Sequence, residues 1–226
     1  PLSARAPVLQ PVERVADMKL SPAQQRLWLV NRLSDASDGK HAAYNISAAL
    51  RLSGALDVDL VRATLDAIVQ RHEVLRTWFP ENDDGDPVAR IAPGSDLVVA
   101  LTDLSHLPAE LQARAMRDAL AAHAGTAFDL ATRPAFAAAV LRLQPEEHVL
   151  MLCVHHIVFD GWSEAVFIQD FMAIYAALRE GRDSPLAPLA IQYADYADWH
   201  HRKLAQNLAQ DTAFWRDYLD AAPAVS

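Results

Sequence analysis

The sequence holds one cysteine in 226 residues, Cys153. A lone thiol excludes an internal disulfide framework and any zinc site built on several cysteines. Long apolar runs are missing too: none approaches the roughly 20 residues that a membrane-spanning helix requires. Nor is there a surplus of positive charge. Lys and Arg number 20 against 29 Asp and Glu, for a net charge of −9. That balance argues against a grip on nucleic acid, which needs clustered Lys and Arg, and against an anionic membrane surface. Residues 1–6 lack the basic patch and apolar core of a signal peptide. No HExxH, GxSxG, GxGxxG or GxxxxGK[ST] pattern occurs, so the zincin, nucleophile-elbow, dinucleotide and P-loop readings have no support. The expected setting is a reducing, cytoplasmic compartment.

What is present is globular. Apolar types make up 52% and charged types 22%, outside the range of a disordered chain. The length allows one large domain or two small ones, with a sizeable core either way. Residues 1–19, interrupted by Pro1, Pro7 and Pro11, read as a linker without apolar period. Ser21 and Pro22 suit the cap and first position of a helix carrying Leu27, Val30 and Leu33. Residues 43–52 read as a strand. Asp57 can cap a second helix, with Leu60, Thr64, Leu65, Ile68 and Val69 on one stripe, ending near His72. Residues 75–79 and 87–91 flank a turn-rich segment and predict a hairpin, and 97–101 predicts another strand. Residues 108–124 predict a helix. A second hairpin is expected from 136–143 and 148–154. Ser163 is expected to cap a long helix that stops at Gly181. Two further helices are expected over 192–205 and 209–220. Hairpins break the βαβ rhythm, so the expected class is α/β with a mixed sheet and helices packed on it.

The chemistry concentrates in His155-His156-Ile157-Val158-Phe159-Asp160-Gly161-Trp162-Ser163. Six apolar residues, 149–154, precede it and suit a strand buried on both faces. Titratable residues at the end of such a strand are where open sheets place their chemistry. Adjacent residues of a strand point to opposite faces, so one histidine can meet a cleft while the other packs inside. Gly161 permits a positive φ or the close approach of a ligand. The plain structural alternative is two buried histidines and an Asp that caps a helix. A metal reading is weaker, because adjacent extended histidines diverge and zinc needs three or four converging ligands. His200-His201 is expected on a solvated helix face, and Cys153 as an inert buried thiol.

The stretch from His155 to Gly161 resembles the HHxxxDG signature of the condensation domains of nonribosomal peptide synthetases, and Trp162-Ser163 extend it in the same way. Three more segments agree in order: SPAQQRLW from Ser21, RHEVLRTWF from Arg71 and YADYADW from Tyr193. Phe128-Asp129-Leu130 with Arg133-Pro134 adds a fifth likeness. The resemblance implies a lobe shaped like chloramphenicol acetyltransferase, and only the N-terminal of two such lobes. It divides the chain into a linker following a carrier protein (1–19), the lobe (20–222) and the start of a connection to a C-terminal lobe (223–226).

The implied activity is acyl transfer that forms a peptide bond, in antibiotic or other secondary-metabolite synthesis. A donor acyl or peptidyl thioester would be joined to the α-amine of an acceptor aminoacyl thioester. Both would ride on phosphopantetheine arms of upstream and downstream peptidyl carrier proteins, with an adenylation domain in the same bacterial synthetase. No cofactor or metal is implied for the domain itself, and an isolated lobe is expected to be inactive. His156 is the implied catalytic residue, as positioner and proton acceptor. His155, Asp160, Gly161, Trp162 and Ser163 support it, with the Gly161 N–H as an oxyanion donor. Asp160 is implied to form a buried ion pair with an arginine, Arg71 or Arg76. Trp28, Tyr193, Tyr196 and Trp199 take structural roles. The alternatives are an epimerization domain, a coenzyme A-dependent acyltransferase of the same superfamily, or a non-catalytic carrier-binding fragment. Trp162-Ser163 argues against the first, and the second and fourth motifs against the next. Both histidines being kept argues against a heterocyclizing domain.

Overall fold

A computed structural model describes residues 7–35 and 42–220. Two sheets organise it. The small one joins β1 (Met18–Lys19), β4 (Val88–Ile91) and β3 (Thr77–Trp78) in that antiparallel order. The large one runs β2 (Asn45–Ser53), β7 (Glu147–His155), β6 (Phe136–Gln144), β5 (Val99–Asp103). Its first two pairings are antiparallel and β5 with β6 is parallel, so the sheet is mixed.

Helices cover both faces. On one side α2 (Val58–Arg71) and α4 (Gly161–Arg179) bury Val61, Leu65, Ile68, Phe167, Phe171 and Ile174 against Val140, Leu150 and Leu152. On the other side α3 (Ala109–Ala124) closes a smaller cluster of Leu141, Leu143, Val149 and Met151 with Met116 and Leu120. Each fully buried Leu or Ile contributes about 1.5–3 kcal/mol. Central β7 is covered on both faces, and all six residues from Val149 to Val154 are buried. That burial explains their unbroken apolar run.

Local chemistry sets the ends of the elements. Asp57 accepts the N–H groups of Asp59 and Leu60 and caps α2. Ser21 and Gln24 form a capping box at the start of α1 (Pro22–Asp35): the Ser21 N–H donates to Gln24 Oε1 at 3.0 Å, and the Gln24 N–H donates to Ser21 Oγ at 3.2 Å. Gly181, at φ 69°, takes the left-handed conformation that ends α4.

Four expectations need correction. The segment before Ser21 is not a free linker among the described residues, because Met18–Lys19 pairs with β4 and Pro7 to Arg14 lies against the last helix. Residues 75–79 do not form a full strand: a 3₁₀ turn (Glu73–Arg76) leaves only Thr77–Trp78 extended. The two expected terminal helices are one, α5 (Tyr193–Asp220), since no Gly or Pro interrupts those 28 residues. His200-His201 is half-buried, and His201 Nε2 lies 2.7 Å from the carbonyl oxygen of Leu20, its hydrogen-bond acceptor.

Candidate functional site

The strand β7 ends at His155, and the two histidines part there. His155 is fully buried while His156 is exposed. The His155 N–H still donates to Ala135 O at 3.0 Å, and the His156 N–H donates to Tyr44 O at 2.8 Å, so the sheet holds both backbones. His155 Nδ1 accepts the N–H of Ile157 at 3.1 Å, which leaves the ring proton on Nε2. Burial, with the neighbouring His156 adding to it, holds His155 down at about 4, so it is neutral near pH 7.

The His156 ring has a different constraint. Its Nδ1 lies 2.7 Å from the carbonyl oxygen of Phe159. A carbonyl can only accept, so Nδ1 donates, and the neutral ring presents an unprotonated Nε2. Nε2 has no hydrogen-bond partner among the described residues.

Asp160 caps α4 rather than pairing with an arginine. Its Oδ1 accepts the Ser163 N–H at 2.9 Å and the Ser163 hydroxyl at 2.6 Å, and its own N–H donates to Ser163 Oγ at 3.2 Å. The Ser163 hydroxyl, followed by its N–H, holds the Asp160 carboxyl below its ordinary range. The expected cap, Ser163, is thus the partner in the box, and Asp160 is the cap. The expected ion pair is corrected likewise. Arg71 Nε reaches Asp170 Oδ2 at 3.0 Å, and Arg76 donates to Ala92 O and faces Glu73 at 3.9 Å. Asp160 is exposed, and the Ser163 N–H in the first turn of α4 offers it a nearer partner.

Gly161 begins α4 without a positive φ. A side chain built there would meet nothing within 4 Å, so the space in front of this helix end is open. Trp162 stands beside it and is 84% exposed.

The ordered motifs meet behind the loop. Gln24 Nε2 donates to Ile157 O at 3.3 Å. Gln24 is held by Ser21, whose Oγ lies 3.0 Å from the Tyr193 hydroxyl. Trp28 Nε1 donates to Phe79 O at 3.0 Å, joining the first motif to the second. Trp199 Nε1 donates to Pro7 O, and Tyr196 packs between Tyr193 and Trp199. The four aromatics thus brace the framework. Cys153 is buried, which pushes its thiol up, and it hydrogen-bonds Ser47 and Ala124 at 3.7 Å each.

Residue-by-residue reading of the sequence passed over Asp170, Gln24 and Asp195. Asp170 is 6% exposed and also receives His72 Nε2 at 2.8 Å. A signal existed: Asp170 falls on the apolar stripe Phe167, Phe171, Ile174, where a charge needs a partner. Among the described residues, no group of three or more His, Cys, Asp and Glu could hold a metal, and no helix is long and apolar enough to cross a membrane.

Comparison with known proteins places this geometry. The family model described as Condensation domain matches residues 15–226. A "Dimodular nonribosomal peptide synthase" from Bacillus subtilis is 42% identical over 223 residues, which are 96% of this chain and 9% of that protein. A "Phosphinothricin tripeptide synthetase PhsC" from Streptomyces viridochromogenes is 39% identical over 207 residues, covering 91% of this chain and 19% of that one. Among solved structures, the X-domain in its complex with OxyB from teicoplanin biosynthesis superposes with a TM-score of 0.83 at 33% identity, covering 98% of this chain and 47% of that chain. The first condensation domain of the calcium-dependent antibiotic synthetase, in complex with a substrate analogue, gives 0.76 at 25% identity over 92% of this chain and 48% of that one. The chain spans about half the length of these solved chains and a small part of the two synthetases.

Proposed function

The chain belongs to the condensation-domain family of nonribosomal peptide synthetases, and from that premise we propose that it supplies the His156 half of a site that forms peptide bonds between two carrier-bound thioesters. The α-amine of the acceptor attacks the donor's thioester carbon. A C–N bond forms, the C–S bond breaks, and the carrier's thiolate leaves with the proton that the nitrogen has lost.

One observation carries the assignment: the Phe159 carbonyl accepts from Nδ1 of exposed His156, which in the neutral ring leaves Nε2 without a proton. A free α-amine has a pKa near 7.7–8, so roughly a tenth is neutral at pH 7 and attack needs no strong base. The tetrahedral adduct must still lose a proton, and Nε2 can accept it and pass it to the departing sulfur. Holding amine and thioester together supplies more, up to roughly 7–11 kcal/mol. The Gly161 N–H, at the positive end of α4, is the donor we assign to the developing oxyanion. His155 and Asp160 set the loop rather than touch substrate. The substrates arrive on phosphopantetheine arms of the upstream and downstream carrier proteins. A C-terminal lobe closes the site, an adenylation domain loads the acceptor, and the assembly is cytoplasmic.

The test uses the complete two-lobed domain with loaded carriers and follows dipeptide transfer by intact-protein mass spectrometry. Replacing His156 by Ala is expected to lower the rate a hundredfold or more with the fold retained. A loss of only a few-fold would remove the proton-acceptor role. No transfer by the wild type with any substrate pair would remove the condensation reading.

A further inference from the structure

The loop that holds His156 has a second side. Phe159 gives its carbonyl to His156, and its ring lines a cleft between the end of α2 and the first turns of α4. The cleft has a cavity volume of about 140 Å³, short of the roughly 300–1,000 Å³ of whole small-ligand pockets and on the scale of a single side chain. Its walls are apolar: Val74, Leu75, Val158, Val166 and Phe167. Exposed Trp162 stands at its rim.

Two polar side chains line it. Ser163 is engaged, because its hydroxyl donates to Asp160. His72 is engaged at one nitrogen only. Its Nε2 lies 2.8 Å from the Oδ2 of Asp170, a buried carboxylate that also receives Arg71 at 3.0 Å. A carboxylate accepts, so Nε2 carries the proton and the neutral ring keeps a lone pair on Nδ1. Nδ1 has no partner among the described residues.

We propose that this cleft is a specificity pocket for the side chain of a carrier-bound substrate, and that it selects an apolar side chain ending in a hydroxyl, such as a phenol that donates to His72 Nδ1. The identity of the substrate rests on the condensation reading above. The walls supply burial and His72 supplies one acceptor. A cationic or an anionic side chain would lose its hydration against those walls. Phe159 ties the pocket to the chemistry, since its ring contacts the occupant and its carbonyl orients His156.

Binding to this chain tests the pocket without any turnover. N-acetyl-L-tyrosine amide, N-acetyl-L-phenylalanine amide and N-acetyl-L-alanine amide are titrated against methyl-labelled protein and followed by NMR. The tyrosine probe is expected to shift the methyls of Val74, Leu75, Val158 and Val166, and to bind about three- to tenfold more tightly than the phenylalanine probe. The alanine probe is expected to leave them in place. His72→Phe should abolish the preference. Val166→Trp, which leaves His72 and Asp170 untouched, should weaken both aromatic probes. No shift with the tyrosine probe, a preference that survives His72→Phe, or binding indifferent to Val166→Trp would each overturn the proposal. A domain that transfers no peptide but binds the probes would refute the condensation reading and leave the pocket standing.

Discussion

Arg14 Nη1 lies 2.6 Å from Asp195 Oδ1, although 181 residues separate them in sequence. Asp195 is 1% exposed and also accepts the N–H groups of Val12 and Gln192. Burial alone would raise its carboxyl, but the Arg14 hydrogen bond, those two N–H groups and the Arg14 charge outweigh it and hold the group low. Asp195→Ala is therefore expected to cost about 3–5 kcal/mol. It should also free the segment from Pro7 to Arg14. Urea unfolding and amide exchange at Val12 measure both, and a Val12 amide as protected as in the wild type would contradict the role.

Two further aspartates should differ sharply on truncation. Asp160 is exposed and caps a helix, so Asp160→Ala is expected to cost about 1 kcal/mol. Asp170 is buried between Arg71 and His72, so Asp170→Ala is expected to cost about 3–5 kcal/mol. Urea midpoints of the two variants decide it. Equal losses, or a larger loss at Asp160, would mean that the Asp160 carboxylate has a buried partner after all.

Acid should act through His155. Its folded value of about 4 lies below the ordinary 6.5, so the unfolded chain takes up the proton first. The stability of the neutral buried ring is complete above about pH 6.5 and is lost as pH falls toward 4, by about 3 kcal/mol in all. His155→Gln removes this titration. Unfolding midpoints between pH 7 and 4.5 should fall less steeply in the variant than in the wild type, and parallel slopes would refute the assignment.

The His156 tautomer is open to direct observation. Long-range ¹H–¹⁵N spectra at alkaline pH should show a protonated Nδ1 and a pyridine-like Nε2. The reverse assignment would break the link to the Phe159 carbonyl and take the proton acceptor with it.

Much of this was legible in the residue order. Asp57 and the Ser21–Pro22 pair announce their helices because helix starts are local chemistry. The apolar run of β7 announces burial, and the break in polarity after Val154 announces the site. Partner choice was not legible. Whether Arg71 meets Asp160 or Asp170 depends on how α2 packs across α4, and both acids lie on or beside the same helix. Likewise, His200-His201 reads as solvated until α5 is placed, when His201 comes within reach of the Leu20 carbonyl. The cleft beside His72 belongs to the same class. Its walls come from the end of α2 and the start of α4, which no short motif joins.

The hydrogen bonds behind the His156 loop also fix an order of events. Ser21 meets Tyr193 across 172 residues, and Gln24 meets Ile157 across 133. Closing such distances is slow, and the entropy is lost before the contact forms. Helices and hairpins can therefore appear early in refolding while the loop is still unset. Because Gln24, and through Ser21 the Tyr193 hydroxyl, back the loop at Ile157, the loop is expected to order only after the first helix, the central strand and the last helix have docked.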